Sequence, residues 1–134
     1  VLEIPPKPEA GTDLNTLQMA FRSRIKLFYR PSDLPGTATE AIEQVQWQLV
    51  PARDGQGLAL QAFNPTAFYV SLVELELVAG AQRERSEDGM IAPGETRQFE
   101  LPALKARPAG DAQVEFNAIN DYGALVPTRK PLQR

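Results

Sequence analysis

AFYVSLVELELV, residues 67–78, is an alternating stretch whose reading decides the fold. Val73, Leu75 and Leu77 fall on every second position with Glu74 and Glu76 between them. In a strand, successive side chains point to opposite faces, so this pattern predicts a strand with the three apolar residues toward a core and the two carboxylates toward water. The same alternation recurs on both sides of it. VQWQLV (45–50), GLALQAF (57–63), TRQFEL (96–101), AQVEFNAI (112–119) and ALVPT (124–128) are apolar runs of strand length. They are separated by turn material: ARDGQG, NPT, SEDG, APGE, KARPAG and NDYG. Thr39 followed by EAIEQV predicts one short helical turn, with Thr39 as its cap and Glu40 and Glu43 early, where the helix dipole favours carboxylates. Several short antiparallel strands with turns at this spacing predict an all-β chain, an antiparallel sandwich of immunoglobulin type.

Upstream stands a second kind of strand. In NTLQMAFRSRIKLFYRP (15–31), apolar side chains occupy alternate positions from Leu17 to Leu27 with one break at Ser23, and basic residues fill most of the positions between. A strand from Asn15 to Tyr29 exceeds the usual length of about 5–6 residues, which predicts a bend or bulge near Ser23. VLEI (1–4) ahead of it is stopped by Pro5 and Pro6, and Lys7 to Asp13 reads as a loop. Pro31, Pro35 and Gly36 interrupt regular structure, so the expected organisation is an extension at 1–30, a linker at 31–39 and the sandwich at 40–134.

The composition limits the chemistry. The 134 residues, 43% apolar and 23% charged, suffice for one full core plus an extension. With a net charge of −3, the chain as a whole does not favour nucleic acid. There is no Cys and no His, which removes disulfides, histidine-containing triads and the common zinc sites. Ser71 and Ser86 have no histidine to activate them, RERSED and NDYG read as a solvated loop and a turn, and DGQG lacks the spacing and the Lys of a phosphate loop. The sequence therefore predicts no enzyme and no cofactor, and no apolar run reaches the length of a membrane span. Trp47 reads as core, while Asn64, Pro65, Thr66, Asn120, Asp121, Tyr122 and Gly123 read as turn-forming structure.

Four motifs in order, LQMAFRSRIKLFYRP, FNPTAFYVSLVELEL, MIAPGE and INDYGA, resemble the periplasmic chaperones of the chaperone–usher pilus pathway. The resemblance implies two immunoglobulin-like domains, of which this chain would hold the last strands of the first and all of the second. About a hundred residues, the size of such a domain, would precede it. It further implies that the chaperone lends its long strand, 15–29, to pilus subunits that lack one of their own, then delivers them to an outer-membrane usher. On that reading Leu17, Met19 and Phe21 fill the subunit's groove, and Lys26, with an Arg from the preceding domain, holds the subunit's terminal carboxylate. Arg22 and Arg24 read as a solvated face that resists edge-to-edge pairing. Exposed apolar residues on 1–30 would also favour self-association of the chain. The alternative is a structural or adhesive immunoglobulin-like module whose first strand completes a neighbouring domain.

Overall fold

The computed structural model describes residues 2, 3 and 20–133; Leu17 and Met19 lie outside the described residues. The chain divides into two compact units, residues 1–32 and residues 33–134.

In the first unit, β1 (Leu2–Glu3) and β2 (Phe21–Arg22) pair antiparallel, Leu2 opposite Arg22 and Glu3 opposite Phe21. Among the described residues, no ladder to another strand involves residues 23–30. The continuous strand expected to reach Tyr29 is thus a strand only at Phe21–Arg22 among the described residues. A strand persists only where a second backbone accepts and donates its hydrogen bonds, and here the ladder ends one residue before Ser23.

The second unit is a sandwich of two antiparallel sheets. One helix and eight strands make it: α1 (Ala38–Gln44), β3 (Gln46–Pro51), β4 (Leu58–Phe63), β5 (Val70–Ala79), β6 (Gln82–Arg85), β7 (Gly89–Ile91), β8 (Thr96–Leu101), β9 (Gln113–Ile119) and β10 (Leu125–Pro131). One sheet runs β10-β9-β5-β6, with β7 also pairing to β5; the other runs β3-β4-β8. Period-2 burial is clear in β3, where Trp47 and Leu49 are buried while Gln46 and Gln48 are exposed, and in β9, where Val114, Phe116 and Ala118 are buried. Trp47 lies between the sheets, its ring 6.1 Å from that of Phe99 on one and 5.4 Å from that of Phe116 on the other. Leu60, Leu72, Leu75, Leu77, Ile91 and Leu101 complete the centre of the core.

The helix starts two residues earlier than the sequence suggested. Thr37, not Thr39, is the cap: the Glu40 N–H donates to the Thr37 hydroxyl (3.2 Å) and the Thr37 N–H donates back to the Glu40 carboxylate (2.9 Å). This reciprocal capping box satisfies two N–H groups; Thr39 could not form it, because the residue three positions after it is Ile42, which has no carboxylate to return. Ala41 and Ile42 turn into the core, and an ion pair from Glu43 to Lys130 ties the helix to β10.

A second difference lies in β5. Leu72, Leu75 and Leu77 are buried, whereas Val73 is only half-buried. The register against β9 shifts between Val73 and Glu76, and Glu74 adopts φ +55. This bulge inserts one residue, so the inward phase of Val70 and Leu72 gives way to that of Leu75 and Leu77. A left-handed non-glycine residue is costly, and here two contacts hold it: its N–H donates to Asp88 (2.7 Å), and its carboxylate accepts from the Asn117 amide (2.5 Å). RERSED, read as a loop, contributes β6, and the SEDG turn leads directly into β7; both are short strands that pair with β5.

The turn residues hold the framework. Asn64 is fully buried; its amide donates to the carbonyls of Phe68 (2.7 Å), Ala92 (3.1 Å) and Ile91 (3.3 Å), while its carbonyl oxygen accepts from the Thr66 N–H and hydroxyl. Asn120 accepts from the N–H groups of Tyr122 and Ala124, with Gly123 at φ +77, a conformation that glycine adopts freely. Replacing Asn64 by Ala strands several buried groups at about 1–3 kcal/mol for each left unsatisfied, so Asn64→Ala should lower unfolding free energy by roughly 2–4 kcal/mol. Urea denaturation of the chain checks this, and a loss below about 0.5 kcal/mol would mean that water replaces the amide at little cost.

Candidate subunit-binding segment

Phe21 through Arg30 is the part of the first unit whose side chains the structure describes in sequence. Phe21 is 60% exposed, Ile25 85%, Leu27 93% and Tyr29 90%. These four occupy odd positions, so along an extended backbone they share one face. Apolar side chains singly exposed need no explanation, but a row of four on one short segment does. The even positions carry Arg22, Arg24, Lys26, Phe28 and Arg30. Phe28 and Arg30 have partners of their own. Lys26 is exposed, and no hydrogen bond or ion pair of its side chain occurs among the described residues.

An apolar row and an uncommitted ammonium on alternate faces can do two things at once. The first can enter a hydrophobic groove while the backbone pairs with its rims; the second can hold a carboxylate. Of the four residues singled out from the sequence, the structure describes Phe21 and Lys26, both exposed. It also shows three apolar neighbours in the same phase, of which sequence reasoning stressed only Leu27. Ile25 and Tyr29 were visible in principle, because the period of two simply continues past Ser23. Among the described residues no group of three or more Asp and Glu could hold a metal, and no helix is long and apolar enough to cross a membrane.

A two-sheet sandwich preceded by such a segment defines a class, and comparison with known proteins specifies it. Residues 40–130 match the C-terminal domain of the pili assembly chaperone PapD, and residues 1–35 match the N-terminal domain of the pili and flagellar-assembly chaperones. The chain belongs to the pilus assembly chaperone family. It is 41% identical over 128 residues to the probable fimbrial chaperone YadV of Escherichia coli K12, covering 94% of this chain and 51% of that protein. It is 34% identical over 127 residues to the chaperone protein FimC of the same strain, covering 95% of this chain and 46% of that one. The crystal structure of the YadV chaperone superposes with a TM-score of 0.80 at 36% identity, over 98% of this chain and 58% of that one. That of the Pseudomonas aeruginosa CupB2 chaperone gives 0.68 at 32% identity, over 85% of this chain and 51% of that one. The chain thus spans about half the length of the curated relatives it matches.

Because Lys26 has no partner among the described residues, its removal should be neutral for folding. Lys26→Ala is expected to shift unfolding free energy by less than about 0.5 kcal/mol, the usual range for exposed sites. Thermal denaturation followed by circular dichroism measures it, and a large loss would reveal a structural role.

Proposed function

We propose that this chain is the subunit-capturing part of a periplasmic chaperone, which holds pilus subunits by lending them its strand and passes them to an outer-membrane usher. The observation that carries the reading is the exposed alternating row Phe21, Ile25, Leu27 and Tyr29 beside an uncommitted Lys26. Membership of the pilus assembly chaperone family favours it over the structural or adhesive module. Leu17, Met19 and Phe21 fill the subunit's groove, each contributing roughly 1.5–3 kcal/mol if fully buried. Lys26 binds a subunit carboxylate through a charge-assisted hydrogen bond. No catalysis enters, since capture needs only burial, strand pairing and one ion pair.

The same row supports a second mode of pairing. Without a subunit, the exposed apolar side chains of Phe21, Ile25, Leu27 and Tyr29 favour another copy of the chain through residues 1–30. Capture and self-association then compete for one surface, and added subunit should dissolve the self-associated form.

Titration of a purified pilus subunit into residues 1–134, read by calorimetry, tests the proposal. Lys26→Ala should weaken binding roughly 10- to 100-fold, the worth of a charged hydrogen bond of about 1.5–3 kcal/mol, and Phe21→Lys should weaken it at least as much. Undiminished binding by both variants would remove this segment from the interface.

A further inference from the structure

Among the described residues of the second unit, prolines stand inside strands at Pro51, Pro127 and Pro131, on β3 and β10. Both strands lie at sheet edges. Gln133, just past the end of β10, bridges to Gln48 on β3, so the two edges lie side by side. A proline has no N–H to give a ladder, and what it does at an edge depends on which way that missing N–H would point.

The ladders settle the direction. In an antiparallel pair, residues that exchange hydrogen bonds alternate with residues whose N–H and C=O point away from the partner strand. Beyond one end of the β9–β10 ladder the Asn120 N–H donates to the Ala124 carbonyl (3.0 Å), and beyond the other the Leu132 N–H donates to the Ala112 carbonyl (3.4 Å). Both pairs continue the register that sets Leu125 opposite Ile119, so the even-numbered residues of β10 bond β9. Leu125, Pro127, Arg129 and Pro131 therefore turn their backbone groups outward. On β3 the Ala52 N–H donates to the Gly57 carbonyl (3.1 Å) in the register shared with β4, while the Trp47 carbonyl takes the Gln133 N–H (2.7 Å). Trp47, Leu49 and Pro51 are its outward residues.

Along the outer edge of β10, carbonyls stand at all four outward positions but N–H groups only at Leu125 and Arg129. β9 is the one strand that β10 pairs with among the described residues. A strand added on the other side would lose every second hydrogen bond that the edge should donate. Charge does not supply this protection, because Arg129 is paired with Glu115 (2.7 Å) and Lys130 with Glu43. Polarity does not either, since Leu125 is exposed and stands opposite Ile119, also exposed. With ordinary strand formers in place of the prolines, β10 would be an open edge with apolar side chains at one end, the kind that pairs with other chains.

We propose that Pro127 and Pro131, together with Pro51 and the Gln133 bridge on β3, form a block that closes this side of the sandwich to strand addition. The block keeps β10 unpaired when another chain is close, whatever residues 20–30 do, and it stands independently of the capture reading.

Amide hydrogen exchange on isotope-labelled residues 1–134 tests it, with the double variant Pro127→Val, Pro131→Val restoring both N–H groups on strand-forming residues. In the unaltered chain the Leu125 and Arg129 amides should exchange quickly in dilute and in millimolar samples alike. In the variant, the amides at 125, 127, 129 and 131 should slow together by roughly fivefold or more in the millimolar sample alone, as copies pair along β10. Association through residues 1–30 leaves these amides unchanged, so the two routes are told apart. Should the double variant lose the near-ultraviolet signal of the packed Trp47, Pro127→Val alone gives the same comparison at 125, 127 and 129. A folded variant whose β10 amides exchange alike at both concentrations would overturn the proposal, and so would slow exchange of Leu125 and Arg129 in the unaltered chain.

Discussion

Trp47 is the contact on which the second unit depends. Projecting from β3, its ring meets Phe99 of its own sheet and Phe116 of the facing one, so a single large side chain bridges the space between the two sheets. Around it, alternation in each strand sorts leucines and valines inward and glutamines, glutamates and arginines outward. The chain end serves the same contact: the Gln133 N–H donates to the Trp47 carbonyl (2.7 Å) and places Gln133 beside Gln48 on the exposed edge of β3. Capping an edge in this way removes unpaired backbone groups from a strand that could otherwise recruit a neighbour.

The two units handle the same hazard in opposite ways. In the sandwich, edges are short, charged or covered. In the first unit, residues 23–30 keep their apolar side chains exposed, and no ladder involves them among the described residues. A folded protein tolerates that arrangement only on a segment with little to lose in stability, and binding surfaces are drawn from such segments. The capture reading places cost and benefit on the same residues: what is unfavourable in the free chain becomes favourable when a groove covers it.

Much of this was legible in the sequence, and the failures share one cause. β3, β8 and β9 followed from alternation, because each buries one face, and β4 from its apolar run, since Ala59 and Leu60 are both buried; all lie close to the boundaries their residues suggest. Trp47, Asn64 and the Asn120–Gly123 turn were recognisable because residue type alone restricts what they can do. Val73 was misplaced because Leu72 and Val73 are both apolar, so either phase fits, and the bulge that chooses between them is held by Asp88, fourteen residues away. β6 was missed because QRER is polar throughout, and β7 because GMI is too short to show alternation; both are recognisable only through their pairing with β5. The alternation from Leu17 to Leu27 was visible as a pattern, but the exposure of Phe21, Ile25 and Leu27 was not, since alternation looks alike whether the partner is the protein's own core or another molecule. Nor could the ion pairs on the outer face of the sheet containing β5 be foreseen, because Glu76 and Glu115 find Arg83 and Arg129 only after the strands come into register.

The central claim is that residues 20–30 form a strand in the company of a subunit. Hydrogen exchange of their backbone amides, followed site by site on residues 1–134 with and without a saturating pilus subunit, measures this directly. Strand formation between two rims of a groove would engage amides along the segment, so exchange from Phe21 to Tyr29 should slow by about tenfold or more on binding, while the sandwich amides change little. A saturated complex in which these amides exchange as fast as in the free chain would contradict the account.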